Sequence, residues 1–391
     1  MKQQPVALAV VTTVLGATGG DRWLYELEDR WADLGVEVTH LHITGSRSSE
    51  APMPPARARV VQGSRSDRRA RSDILRVLVT MWREIRRADV VLLEPQGVSA
   101  PIAFLLAKLT GRPSAIYSQG IAELSFEIWE PNKLHRALVR FMWRNVDAVM
   151  CVSPGSVRAA LRQRVARDKV VEVRTAVDVD DVRRRALGPV ELSQPRDRPL
   201  LVGCGIISTH KGFDRIVLAV SQLKQRGVVV DLLLVGPPGD DIERVTSLVE
   251  SHGLADRVTF VTHGPDAVPY IARADVFVHA ARYDSVGLVL LEALSLGVPV
   301  IALDEAAGGP RLVLEDGTYG RLLASEASPQ EFADALQAHL DNPEELRSRA
   351  AAAATYVRED YSVPRAAEVS ARLLHRLAGR RRELAKPAMS E

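Results

Sequence analysis

The sequence predicts an α/β protein made of two doubly wound domains in series, and three observations carry that prediction. Short runs of Val, Ile and Leu alternate with longer helical stretches along the chain. The apolar runs are continuous rather than alternating, as in parallel strands covered on both faces. The alternation stops once, at 187–199, where "LGPVELSQPRDRP" places three prolines in a stretch that reads as a linker, and then restarts.

Element by element, the first half reads as strand 6–12, helix 21–34, strand 36–43, a basic helix 73–87 and strand 88–94. Helix 99–110, strand 113–119, helix 132–144, strand 147–153, helix 156–166 and strand 170–175 follow. The second half reads as strand 200–206, helix 213–226, strand 228–236, helix 241–253, strand 258–263, helix 266–273, strand 275–281, helix 286–296 and strand 299–303. The C-terminal stretch 329–385 is helical, with a break near "DYSVP". Strands separated by helices in this way demand crossover connections, hence parallel sheets with ligands at their carboxyl ends.

Composition narrows the functional classes. A net charge of +2 on 391 residues gives no general attraction to polyanions, so no nucleic-acid partner is expected. The basic clusters "GSRSDRRARS" (63–72) and "GRRREL" (379–384) read as a solvated loop and a solvated helix end, with a peripheral membrane contact or an acidic-partner patch as the other reading. Cys151 and Cys204 both sit in apolar runs, which suits a reduced, cytoplasmic protein. No apolar run is long enough to span a bilayer. There is no phosphate-binding G-x-x-x-x-G-K-[ST], no third glycine after "GCGII", no nucleophile elbow and no histidine spacing that fits a metal. The acidic run "DVDD" (178–181) reads as a polar turn entering a helix rather than a metal site.

The chemistry concentrates in "YDSVGLVLLEALSLGVPVIA", from Tyr283 to Ala302. Asp284 stands just before an expected helix and Glu292 two turns into it. The backbone N–H groups of Val286, Gly287 and Leu288, at the positive end of that helix, suit a diphosphate. The two carboxylates suit sugar or ribose hydroxyls, though Asp284 fits equally well as a helix cap. Earlier, "GIISTHKG" (205–212) sets Gly205 and Lys211 at another helix start, and a lysine there suits phosphate charge. Near the N-terminus, Gly19 and Gly20 form a second glycine-rich lip between the first strand and its helix.

Together these segments resemble the family 4 retaining glycosyltransferases of the GT-B fold. "DSVGLVLLEALSLGVPVIA" is similar to the family's E-x7-E motif, "GIISTHKG" to its G-R-L-x-x-x-K-G element, "TAVD" (175–178) to N-G-V-D, and "GGPRLVLEDGTYG" (308–320) to its paired-glycine region. The resemblance covers most of the chain in the family's order. It implies two Rossmann-like domains facing across a cleft. Residues 1–190 would bind the acceptor, with a helix at 365–391 packing back on them, and residues 191–364 would bind the donor. Lys211 and Asp284 would be catalytic, with Gln119 in the place of the family's histidine. Gly20, Gly205, Val286, Gly287, Leu288 and Glu292 would hold a UDP- or GDP-sugar. Gly19, Asp21 and Gln119 would meet a small-molecule acceptor, with neither metal nor cofactor. The Arg- and Ala-rich composition resembles that of high-GC actinobacterial proteins, where glycosylation in natural-product or thiol metabolism would fit.

The departures are specific. The first acidic residue is Asp284 instead of Glu, and the family's diphosphate-binding arginine is Ile206, for which Arg282 or Arg311 would have to substitute. Gln119, Thr175, Ala176, Ala280 and Ala281 also break the pattern. These losses raise two further expectations: an acceptor that attacks through a thiol or an amine, or a degenerate nucleotide-sugar-binding scaffold without transfer activity.

Overall fold

The computed structural model describes residues 4–13, 19–43, 56–64, 71–95, 99–119, 133–190, 198–262, 266–305 and 307–384. Most of the basic loop at 63–72 and most of the 187–199 linker lie outside the described residues. Two compact units emerge, Met1–Thr175 with Val363–Glu391, and Ala176–Ser362.

The first unit holds a seven-stranded, all-parallel sheet in the order β3-β2-β1-β4-β5-β6-β7. Its strands are β1 (Val6–Thr12), β2 (Val36–His42), β3 (Arg59–Gln62), β4 (Val90–Leu93), β5 (Ser114–Ser118), β6 (Ala148–Cys151) and β7 (Val170–Glu172). The second unit repeats the plan with six strands, in the order β10-β9-β8-β11-β12-β13. They are β8 (Leu200–Cys204), β9 (Asp231–Val235), β10 (Val258–Val261), β11 (Val276–His279), β12 (Val300–Leu303) and β13 (Arg321–Leu323). The central strands β1, β4, β5, β8, β9, β11 and β12 are buried almost throughout, which is why they read as unbroken aliphatic runs.

Strand order reverses between β1 and β4, and again between β8 and β11. Helices leaving the paired strands on either side of such a reversal depart to opposite faces, and a crevice opens at the carboxyl ends. β3 and β13, both edge strands, are absent from the sequence reading. Each is short and only half apolar or half buried, so neither shows the aliphatic run that marks a central strand.

The division falls between Thr175 and Ala176, earlier than the boundary expected near residue 190. The helix Val179–Arg185 accounts for the difference, because it packs on Val268–Ile271, Leu288–Ser295 and Glu344–Asp360 within the second unit. It starts as the polar turn expected of "DVDD": the Asp178 carboxylate accepts hydrogen bonds from the Asp180 and Asp181 N–H groups, each at 3.0 Å.

The last helix, Val363–Leu384, packs on the Gly19–Asp33 helix and on β1 of the first unit. Trp31 Nε1 donates to Ser370 Oγ at 2.7 Å, with both residues fully buried. His375 Nε2 meets the Leu34 carbonyl at 2.9 Å. Arg381 and Arg382 both bind Asp89, and Arg382 also donates to the Pro5 carbonyl at 2.7 Å. The "GRRREL" cluster is therefore an anchor for the first strand, a correction to its reading as a solvated helix end. Ser370→Ala leaves the Trp31 N–H buried and unpaired, a loss of roughly 1–3 kcal/mol. The first unit should melt about 2–4 °C lower for each kcal/mol. An unchanged melting curve by calorimetry would show that this contact does not hold the helix.

Candidate active site

The residues singled out in the second half meet at the carboxyl ends of β8 and β11, where the strand order of that sheet reverses. After β8 the chain turns through Gly205 and enters a 3-10 turn, Thr209–Lys211. Gly212 follows with φ 67°, and a Cβ there would lie 2.0 Å from the Ala280 carbonyl oxygen. Only glycine tolerates both the left-handed backbone and that approach. Gly212 therefore lets the loop after β8 touch the loop after β11, and this contact positions Lys211. The Lys211 stem runs beside the side-chain-free face of Gly205.

Lys211 Nζ donates to Asp284 Oδ2 at 2.7 Å. Burial alone would raise the Asp284 carboxyl, but Lys211, His279 and the N–H of Val286 together hold it below the ordinary carboxylate range. Asp284 is thus an ionised acid engaged by a lysine, not a helix cap. The cap of the following helix, Leu288–Ser295, is Gly287 at φ 78°, with no side-chain bond. This corrects the capping reading. It also takes the Val286 N–H away from the set of three expected to face a diphosphate, leaving those of Gly287 and Leu288.

Two elements near the pair carried no assigned role in the sequence. His279 ends β11 with Nε2 3.6 Å from Asp284 Oδ2, outside hydrogen-bond range. Burial, opposed by Asp284 and reinforced by Lys211, lowers its pKa from 6.5 to about 4. Glu305 accepts from the N–H groups of Ala307 at 2.7 Å and Gly309 at 2.9 Å. A Cβ on Gly309 would lie 2.2 Å from the Asp284 carbonyl oxygen, so the paired-glycine region forms the floor under the 284–286 loop. The paired glycines were the available signal for this.

Glu292 lies buried on the helix, and Arg185 Nη2 approaches its Oε1 at 3.4 Å. The same guanidinium is bidentate to Asp266, at 2.7 and 2.6 Å. Arg185 was missed because nothing local in "VDDVRRRAL" distinguishes it from its neighbours. The two candidate replacements for the missing arginine are both engaged. Arg282 binds both oxygens of Asp214, at 2.8 and 2.7 Å, and the Thr209 carbonyl at 2.9 Å. Arg311 spans Asp304 and Asp316. Ile206 itself is 42% exposed, an apolar side chain on the rim of the turn.

In the first unit, Gly19 and Gly20 are the opening residues of the helix Gly19–Asp33 rather than a loop before it, and Asp21 lies in its first turn. A Cβ on Gly20 would lie 2.2 Å from Gln119 Oε1, so this glycine and Gln119, which follows β5, are neighbours. Both cysteines are free and buried, and burial pushes the Cys151 thiol up to about 12, far from nucleophilic use. Among the described residues no cluster of His, Cys, Asp and Glu has the geometry of a metal site, and no helix is long and apolar enough to cross a membrane.

Two repeated Rossmann-type sheets with a lysine–carboxylate pair at the second reversal define the GT-B architecture of glycosyltransferases, and comparison with known proteins agrees. The chain carries a domain matching Glycosyltransferase Family 4 over residues 17–181 and one matching Glycosyl transferases group 1 over residues 189–356. It is 34% identical over 161 residues to an alpha-D-kanosaminyltransferase of Streptomyces kanamyceticus, covering 40% of this chain and 39% of that protein. The chain spans about half the length of the curated relatives it matches. Sucrose-phosphate synthase from Thermosynechococcus elongatus superposes with a TM-score of 0.76 at 19% identity, over 96% of this chain and all of that one. HepE of Anabaena, in complex with UDP and glucose, superposes with a TM-score of 0.73 at 16% identity, over 94% and 99%.

His279 sets a pH signature for this site. Unfolded, it binds a proton near 6.5; folded, it refuses one until about 4. Its contribution to stability is therefore present above pH 6.5 and is lost as pH falls towards 4, amounting to roughly 3 kcal/mol. His279→Asn should flatten the pH dependence of urea-unfolding free energy across that window by about one proton. An unaltered slope would show that His279 is already charged in the folded protein.

Proposed function

We propose that this chain is a retaining glycosyltransferase that moves a sugar from a UDP- or GDP-sugar to a small-molecule acceptor in the cytoplasm, within natural-product or thiol metabolism. It would use neither metal nor cofactor. The observation that carries this reading is the Lys211–Asp284 pair at the strand reversal of the second sheet, directly before the N-terminus of Leu288–Ser295. A lysine with one N–H given to Asp284 keeps two more for diphosphate oxygens. The helix N-terminus supplies backbone donors beside it. Charge that builds on a leaving diphosphate is stabilised there without a divalent ion, and fixed donors of this kind are worth about 10²–10³ in rate each. In front-face retaining transfer the leaving phosphate oxygen takes the acceptor's proton, so no side-chain base is required. HepE, solved with UDP and glucose, supports a nucleotide-sugar donor.

A thermal-shift titration with UDP, GDP and the corresponding nucleosides tests the donor site. A diphosphate at 100 times its Kd should stabilise the protein by roughly 2.7 kcal/mol. Lys211→Ala should abolish the diphosphate shift and leave the nucleoside shift intact. Lys211→Ala combined with Asp284→Asn removes the unpaired buried charge and keeps the measurement free of misfolding. Equal diphosphate shifts in wild type and both variants would end the reading. Hydrolysis of the bound nucleotide sugar, undiminished by EDTA, is the expected companion result. Binding without any turnover would favour the degenerate scaffold instead.

A peripheral membrane contact is proposed on the first unit. The helix Arg71–Arg87 exposes Ile74, Leu75, Val79 and Trp82 beside Arg83, Arg86 and Arg87, with Arg86 stacked over the Trp82 ring at 5.8 Å. A basic helix with an exposed apolar stripe suits an anionic bilayer surface. The protein should co-sediment with phosphatidylglycerol-containing vesicles and not with pure phosphatidylcholine, and Leu75→Ser with Val79→Ser should release it. Identical sedimentation with both vesicle types would exclude this surface.

A further inference from the structure

The short helix Val179–Arg185 is fastened within the second unit at both ends. At its start Arg358 holds Asp180, with Nη2 to Oδ1 at 2.7 Å. Beyond its end Arg273 donates to the Ala186 carbonyl at 3.4 Å and to the Gly188 carbonyl at 3.2 Å. A Cβ on Gly188 would lie 3.0 Å from the Pro269 side chain, so the chain leaves the helix in close contact with Val268–Ile271. This fastening fixes Arg185, the last residue of the helix, against Val268–Ile271 and Leu288–Ser295.

Arg185 joins two acids of different burial. The Asp266 side chain is 25% exposed and that of Glu292 only 6%. Nε and Nη2 take the two Asp266 oxygens at 2.7 and 2.6 Å, and Nη2 also reaches Glu292 Oε1 at 3.4 Å. Asp266 Oδ1 accepts from the Val268 N–H at 3.0 Å, so the anchor of the guanidinium is itself fixed. A planar fork bonded along one edge keeps its orientation, and Nη2 therefore meets Glu292 from a set direction. Glu292 stands four residues past Leu288, about 6 Å along the helix from the N–H groups that suit a diphosphate. In a nucleoside diphosphate the groups next to the diphosphate are the vicinal ribose hydroxyls, and a carboxylate has acceptor sites for both.

We propose that Arg185 is a positioning residue for the donor: anchored on Asp266, it sets the plane of the Glu292 carboxylate in which the ribose hydroxyls are received. The guanidinium also offsets the cost of burying that carboxylate. Arg185 touches no reacting atom in this arrangement and acts through Glu292. The proposal deepens the donor side of the proposed glycosyl transfer and rests on it. It assigns a role to a residue from the segment before the linker, which packing rather than local sequence brings to the donor site.

The test uses the full chain in isothermal titration calorimetry, with UDP, GDP and their dideoxy counterparts, which lack both ribose hydroxyls, as probes. In the wild type a ribose form should bind at least about ten-fold tighter than its dideoxy counterpart, the loss expected for hydrogen bonds to a charged group. Arg185→Ala should remove most of that ratio by weakening the ribose form and leaving the dideoxy form unchanged. In a Glu292→Gln background Arg185→Ala should lower the ratio no further, because the guanidinium acts through the carboxylate. Asp266→Asn still accepts from the Val268 N–H and leaves Arg185 beside Glu292, so it should fold as wild type and lose part of the ratio; it decides the question should Arg185→Ala fail to fold. A ratio that survives in the folded variants would overturn the proposal. So would an equal loss for both forms in a variant that melts as wild type, or a further drop in the Glu292→Gln background. A wild type that binds ribose and dideoxy forms equally overturns it too, while leaving the diphosphate site standing. A wild type that binds none of the four probes overturns the donor reading, and the proposal with it.

Discussion

The reversal of strand order at the centre of each sheet is the constraint on which the candidate active site depends. Parallel strands need right-handed crossovers, so a chain that builds outwards from β1 and later from β4 must send its helices to opposite faces. The loops that follow those two strands then have no helix between them. The same holds for β8 and β11. Lys211 and Asp284 are neighbours because they leave adjacent strands at such a point, 73 residues apart in sequence.

In the second unit every acid discussed has a cation or a set of N–H donors: Asp284 has Lys211, Glu292 and Asp266 share Arg185, Asp214 has Arg282 and Glu305 has two backbone N–H groups. Removing one partner from such a set exposes the desolvation already incurred by the other. The arrangement is rigid, and it presents a small number of spare donors from Lys211 and a helix end.

The two departures from the family pattern, at 206 and 119, also lie in different surroundings. Ile206 stands where the resembled family has an arginine, and the guanidiniums of Arg282 and Arg311 pair with Asp214, Asp304 and Asp316. Gln119 removes a titratable ring but keeps donor and acceptor atoms against Gly20, where the space is so close that any side chain on residue 20 would collide with it.

The sequence by itself determined the class of fold, the positions of the buried strands along the chain and the segments that carry Lys211 and Asp284. Short aliphatic runs that alternate with longer helical stretches read as strands buried on two faces, and Gly212 with Lys211, and Gly287 with Asp284, sit in short segments whose chemistry is local. The edge strands β3 and β13 escaped because half-exposed strands lose the apolar run that marks the rest. The helix Val179–Arg185 was placed in the wrong domain because its allegiance is decided by packing on Leu288–Ser295 and Glu344–Asp360, not by its own residues. Only the tertiary structure decided which charges meet. It gave Lys211 to Asp284, Arg282 to Asp214 across 68 residues, and Arg381 and Arg382 to Asp89. Such pairings follow from strand order and from the burial that strengthens Coulomb interactions, and neither is written in any local stretch of the chain.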